Sequence, residues 1–345
     1  SGEIVSLDAT ADYQVGGVSM PQVSTAAPAE FMVDTKIDLT VAETGSNYTA
    51  VTPGSQDQIL TFTVTNTGNA TQDFALTAAV VTVGGDDPID GGANTVDFTA
   101  SGLQAFVDLN GNSQYDAGTD TDYIDGLAPD AAVTVLVAAD IANTPVHGDV
   151  AACTLTATAH DGGTNGSLGA VTVENSSSAN DTSLVAANAD IVFGDGSGLV
   201  DGATDGAHSA ADAFLITSAT LSITKSSAII SDPFSSSNPK MIPGAVVEYT
   251  IRVANGSGAG VQDATGILVQ DDISAEIAKI AFDANAYGSG YGIRISLNGG
   301  AYTNLTNDPD SPTDEGSFVA NVVSVGGIDL TPGDYAEIQF RVVVQ

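Results

Sequence analysis

Ile59-Leu-Thr-Phe-Thr-Val-Thr65, entered through Val51-Thr-Pro53-Gly54 and left through Asn66-Thr-Gly68-Asn69, decides the fold of this chain. Its β-branched and aromatic residues favour extended backbone. Pro53 fixes φ and Gly54 follows it, which is turn chemistry. The passage returns at Ile242-Pro243-Gly244-Ala-Val-Val-Glu-Tyr-Thr-Ile-Arg-Val-Ala-Asn255-Gly256 with nearly the same spacing. Each copy follows an opening strand, Phe31 to Val41 in the first and Ala219 to Lys225 in the second. A repeat of this kind fixes the domain unit. The division expected is residues 1–30 as an N-terminal strand and connector, 31–217 as domain one and 218–345 as domain two. Short strands separated by turns about every ten residues indicate an all-β sandwich or barrel.

Composition agrees. The 345 residues are 43% hydrophobic, enough to build cores. Helical periodicity is scarce, with Ser274 to Ile280 the best candidate. Forty-three Asp and Glu stand against seven Lys and Arg, a net charge of −36. Binding a polyanion releases counterions through basic groups that this chain lacks, so nucleic acid and anionic lipid are poor partners. The acidity is mostly Asp, a turn residue and a ligand of hard cations, which suits a calcium-rich exterior; the solubilising surface of a halophile is the rival reading. Cys153 stands alone, so no intrachain disulfide forms. No apolar run reaches membrane-spanning length. Export followed by signal-peptide removal is expected, placing the chain outside the cell or on its surface.

The segments PGSQDQILTFTVTNTGNAT (53–71) and NPKMIPGAVVEYTIRVANGSGA (238–259) resemble the conserved-repeat family of tandem Ig-like domains in bacterial and archaeal surface proteins. The resemblance covers most of residues 31–345, less surely 85–215. It implies two tandem Ig-like antiparallel β-sandwiches, export and a structural surface role. It brings no catalytic residues.

The two domain ends differ. After Leu127-Ala-Pro129, Val135, Val137, Ala139 and Ile141 match Ile338, Phe340, Val342 and Val344, which follow Leu330-Thr-Pro332. Domain one continues into a further strand, Gly148 to Ala159, while domain two stops at Gln345. Gly2 to Tyr13 matches that further strand, with Val5, Leu7, Ala9 and Ala11 in the places of Ala151, Cys153, Leu155 and Ala157. Val5, Leu7, Ala9, Ala11, Tyr13 and Val15 alternate strictly with polar residues, the pattern of a half-buried strand. Such a strand needs a partner, and residues 16–30 read as a connector. Ile4, Val5, Leu7, Ala9, Ala11, Tyr13 and Val15 are therefore expected to form a donor strand, and Ile338, Phe340, Val342 and Val344 an acceptor groove. Insertion into a neighbour makes a head-to-tail homopolymer; insertion into the same chain makes a closed monomer. An ordinary edge strand is the third outcome.

Asp108-Leu-Asn110-Gly-Asn112-Ser-Gln114-Tyr-Asp116 sets oxygen ligands at alternate positions, and Asp120 and Asp122 follow. That spacing suits a calcium (Ca2+) loop between strands. It departs from the EF-hand in having Gly111 at the fourth position and no Glu at the twelfth; a metal-free Asn/Asp-rich turn is the alternative. The run Asp190, Asp195, Asp201, Asp205 and Asp212 reads as a solvated polar loop, with a junction rigidified by calcium as the alternative. His147, His160 and His208 have no partners at zinc spacing, and no nucleophile elbow is present. Asn47, Asn69, Asn165, Asn175, Asn180, Asn255 and Asn304 open Asn-x-Ser/Thr triplets and leave glycosylation open. The expectation is a non-enzymatic subunit of an extracellular, pilus-like filament. A monomeric adhesin or glycan- or protein-binding module is the rival.

Overall fold

A computed structural model describes residues 1–162, 166–175, 184–185, 189–310 and 314–345. Asn165 and Asn180 lie outside these. The chain is all-β and divides into two units, Ser1–Ile216 and Thr217–Gln345, each a sandwich of two sheets. Ser274–Glu276 is a single 3₁₀ turn rather than a helix. No helix among the described residues is long and apolar enough to cross a membrane.

The first unit begins with an arm. Strands β1 (Ile4–Leu7), β2 (Thr10–Ala11) and β3 (Gln14–Val15) run outward, and β4 (Val18–Ser19), β5 (Val23–Ser24) and β6 (Ala29–Met32) return. The pairs are β1 with β6, β2 with β5 and β3 with β4, all antiparallel. Gly16 and Gly17 make the tip, with φ of 62° and 83°. Two successive left-handed residues are the backbone of a two-residue hairpin turn, which glycine enters with the least strain. This corrects the reading of residues 16–30 as a connector. The donor strand does have a partner close in sequence, and it is that segment. Pro21 and Pro28 lack N–H groups and break the returning ladder into short pieces.

Behind the arm come β7 (Thr35–Ile37), β8 (Leu39–Glu43), β9 (Thr49–Val51), β10 (Gln58–Asn66), β11 (Gln72–Val80) and β12 (Ser101–Phe106). They are followed by β13 (Tyr123–Leu127), β14 (Ala132–Asp140), β15 (Val150–Asp161), β16 (Ile191–Phe193) and β17 (Ala207–Ile216). One sheet has the order β12-β14-β10-β8, the other β13-β11-β15-β17-β9; among the described residues β16 pairs with β7 alone. Between the sheets lie Leu60, Phe62, Val64, Phe74, Val135, Val137, Leu155 and Phe214, all wholly buried.

The second unit contains β18 (Leu221–Ser231), β19 (Val246–Asn255), β20 (Ala264–Asp272), β21 (Ile280–Phe282) and β22 (Ile293–Leu297). It ends with β23 (Thr303–Leu305), β24 (Gly316–Val319), β25 (Val322–Leu330) and β26 (Tyr335–Val344). Its larger sheet runs β18-β19-β26-β22-β23, with β21 also on β26; the smaller runs β20-β25-β24. Phe340, Ile338, Val342, Ile293 and Leu330 are central to its core.

One device recurs in both units. Asn66 ends β10 and Asn255 ends β19, and both are buried. Asn66 Nδ2 donates to the carbonyls of Ala70 (2.9 Å) and Leu127 (2.8 Å). Asn255 Nδ2 donates to those of Gln262 (2.9 Å) and Leu330 (3.1 Å). Each amide thus ties one sheet to the other, and Asn255, so committed, is no glycan acceptor in the folded unit. Because a buried carbonyl stripped of its donor costs about 1–3 kcal/mol, Asn66→Ala is expected to lower the urea transition of the first unit by roughly 2–4 kcal/mol. Asn255→Ala lowers that of the second by a similar amount, and neither shifts the other unit's transition.

Candidate functional site

The paired asparagines align the two sandwiches strand for strand. Asn66 lies opposite Leu39 and Asn255 opposite Leu221. Thus β8, β10, β14 and β12 correspond to β18, β19, β26 and β22, and β11 with β13 corresponds to β20 with β25. Among the described residues, β15 and β17 have no counterparts in the second unit.

In the first unit those two strands close the sandwich. β15 pairs along β11 from Cys153↔Val80 to Asp161↔Gln72, and β17 pairs along β15. β17 also covers β8, where the N–H of Val41 donates to His208 Nδ1 at 3.1 Å. His208 is therefore a structural acceptor. The two strands bring Ala151, Cys153, Leu155, Ala157, Ala159, Phe214 and Ile216 into the core.

In the second unit the corresponding place is open. β20 has β25 as its only strand partner, and β18 has only β19, among the described residues. Leu39 and Val41 are 0% and 4% exposed, whereas the matching Leu221 and Ile223 are 51% and 62% exposed. A groove of about 340 Å³ runs between the two edges, lined by Leu221, Ile223, Val253, Ile267, Leu268 and Val269. Lys225 bridges the edges beyond Ile223, with Nζ 2.5 Å from Asp271 Oδ2 and 4.6 Å from the centre of the Tyr249 ring. Bare strand edges flanking apolar side chains form a template for an added strand.

This site differs from the one expected. Ile338, Phe340, Val342 and Val344 stand on β26, which pairs with β19 on one edge and with β22 and β21 on the other. The first three are at most 1% exposed. They belong to the packed core and present no free edge. The strand that follows β14 in sequence, β15, does not join it in space; it crosses to β11 in the opposite sheet. The open edge in the second unit is accordingly that of β20. Of the donor residues, Ile4, Leu7, Ala9, Ala11, Tyr13 and Val15 are exposed on the arm and Val5 is half-buried.

The Asp108 loop is held by its own hydrogen bonds. Asp108 accepts N–H groups from Ser113 (2.7 Å), Gly111 (2.7 Å) and Asn112 (3.3 Å), and these donors, Ser113 foremost, hold its carboxyl below the usual range. Asn110 and Asn112 donate their side-chain amides to Asp116 Oδ2 at 2.8 and 2.6 Å. Asp120, buried, accepts from the backbone of Leu109 and Asp116. Gln114 and Asp122 are exposed beside this network. No group of three or more His, Cys, Asp or Glu side chains converges as a metal site among the described residues. The asparagines turn N–H rather than oxygen toward Asp116.

The closing strands carry two buried ionisable groups. Burial pushes the Cys153 thiol up to about 12, with Asp212 adding to the effect, so this cysteine is inert packing. Asp212, 2% exposed and opposite Cys153 on β17, is pushed up to about 6, by burial first and with Glu43 contributing.

No family model matches the chain, and no curated protein matches it. Solved structures with a likeness include one described as manganese lipoxygenase of Gaeumannomyces graminis with part of zonadhesin of Komagataella pastoris. It is 13% identical, covers 89% of this chain and 84% of that one, and has a TM-score of 0.20. The full-length major pilin SpaD of Corynebacterium diphtheriae is 11% identical, over 90% of this chain and 57% of that one, at 0.23. The collagen adhesin of S. aureus is 10% identical, over 90% and 81%, at 0.21.

Two outcomes follow from the geometry. Leu39→Ala is expected to cost about 2–5 kcal/mol as a core truncation. Leu221→Ala at the matching position, being exposed, should stay within about 0.5 kcal/mol in the isolated chain; both are read from denaturant midpoints. Unfolded Asp212 titrates near 4 and folded Asp212 near 6. Between those values the folded state holds more protons, so first-unit stability falls as pH rises from about 4 to about 6. Asp212→Asn should flatten that slope in a pH series of melting curves.

Proposed function

We propose that this chain is the structural subunit of an extracellular, pilus-like filament, in which the N-terminal arm of one copy completes the second sandwich of the next. The observation that carries the reading is the contrast between Leu39 and Val41, buried under β15 and β17, and Leu221 and Ile223, bare at the matching positions. The arm supplies a segment, Gly2 to Tyr13, whose sequence matches the strand that fills this place in the first unit.

The energetics support a durable contact. Covering a large aliphatic side chain contributes about 1.5–3 kcal/mol, and each added ladder hydrogen bond about 1 kcal/mol net. Leu221, Ile223, Leu268 and the arm's own apolar residues together offset an association cost of roughly 4–15 kcal/mol. The contact joins unlike surfaces, arm to groove, so it repeats from copy to copy rather than closing on itself. Charge opposes this pairing less than it opposes contact between the arm and a first unit. The arm carries Glu3, Asp8, Asp12 and Glu30 and no base, whereas six of the seven Lys and Arg residues lie in the second unit.

Electron microscopy and sedimentation of the purified chain test the proposal. Filaments are expected from the intact chain. Deletion of residues 1–15, or Ile223→Asp in the groove, should leave folded monomers and no filaments. A sharply monomeric intact chain, or a truncated chain that still polymerises, would overturn it.

A further inference from the structure

The groove has two bare edges, and the arm has two strands. In the first unit one strand does not suffice: β15 pairs with β11, but β17 is what covers β8 and hides Leu39 and Val41. We propose that the element donated to the second unit is the paired hairpin of β1 with β6, not a single strand. This rests on the filament reading above and specifies its partner.

The register carries the inference. With residues 2–13 laid on 148–159, Ile4 and Val5 fall on Val150 and Ala151. Their cross-strand partners then fall on each other as well. Ile4↔Met32 and Val5↔Phe31 in the arm correspond to Val150↔Leu215 and Ala151↔Phe214 in the first unit. Ala29-Glu-Phe-Met-Val33 lies on Asp212-Ala-Phe-Leu-Ile216, phenylalanine on phenylalanine. Leu39 on β8 follows Phe31 by eight residues, and Leu221 on β18 follows Phe214 by seven. The arm thus precedes the first sandwich as the β15–β17 pair precedes the second.

The faces agree too. Cross-strand partners share a face of the sheet, so Val5, Leu7, Ala29 and Phe31 lie together. Their counterparts Ala151, Cys153, Asp212 and Phe214 all face the first unit's core, none more than 2% exposed. On the arm, Leu7 and Phe31 are 64% and 55% exposed. β1 then takes the place of β15 beside β20, and β6 that of β17 over Leu221 and Ile223, with Phe31 as the plug. A hairpin donated whole keeps the β1–β6 ladder and arrives already ordered, which lowers the entropic cost of docking.

The test locks the hairpin. Ser6 Oγ donates to Glu30 Oε1 at 3.0 Å across the β1–β6 pair, so the S6C/E30C variant of the full chain can close a disulfide there; buried Cys153 does not compete. Filaments should form in both oxidised and reduced states, at critical concentrations within about threefold of each other. Filaments only under reduction would mean that β1 must leave β6, and would overturn the inference while leaving strand donation intact. As a second measurement, Phe31→Asp should raise the critical concentration about tenfold or more, with the melting curve of the monomer unchanged. An unchanged critical concentration would show that β6 stays outside the groove. Leu7→Asp separates the two levels: if it polymerises like wild type, donation of the arm itself fails, not only donation of the whole hairpin.

Discussion

A β-sandwich must cover both the inner face and the outer edges of its sheets, because apolar side chains and unpaired backbone groups left at an edge are sites of association. The first unit meets this requirement with β15 and β17, which span the gap between β11 and β8 and bury Leu39 and Val41. Among the described residues the second unit repeats the same frame without those strands, so Leu221 and Ile223 face solvent across from β20. The open groove, the value of an added hairpin and the direction of assembly all derive from this difference.

The composition makes backbone and apolar contacts the natural means of association. At a net charge of −36 two copies repel each other over their surfaces. A ladder of hydrogen bonds over an apolar floor is short-ranged and largely indifferent to net charge. The few basic residues serve local ends: Lys225 joins β18 to β20 through Asp271, and Arg341 and Arg294 bracket Glu248 at 2.9 and 3.3 Å on the larger sheet of the second unit. Ordinary interior needs are met by polar residues, as in the two buried asparagines that hold sheet to sheet.

Local chemistry made much of this legible. The Pro-Gly turns, the β-branched strands after them and the Asn-containing turns mark homologous strands in both units, and the buried Asn66 and Asn255 explain why that residue type stands there. The repeat restarts near Thr217, and the two units divide between Ile216 and Thr217. Gly16-Gly17 between alternating runs was a hairpin signal in plain sight. It was masked by the prolines and small residues of the returning segment, whose ladder is broken for that reason. The alternation of Asp108, Asn110 and Asn112 matched a cation loop equally well as a loop closed on its own backbone, since both turn the same oxygens inward.

The sequence by itself determined what each strand is and which residues on it are apolar, because turn propensity and period-two alternation act within a few residues. It also showed that a strand present after β14 has a relative at the front of the chain. Only the tertiary structure decided which edges meet. β26 looks like the end of an incomplete sheet in sequence order yet is paired on both sides, while the edges that flank the groove belong to β18 and β20. Strand neighbourhood is set by packing between residues far apart in the chain, and alternation carries no record of which neighbour lies beside it.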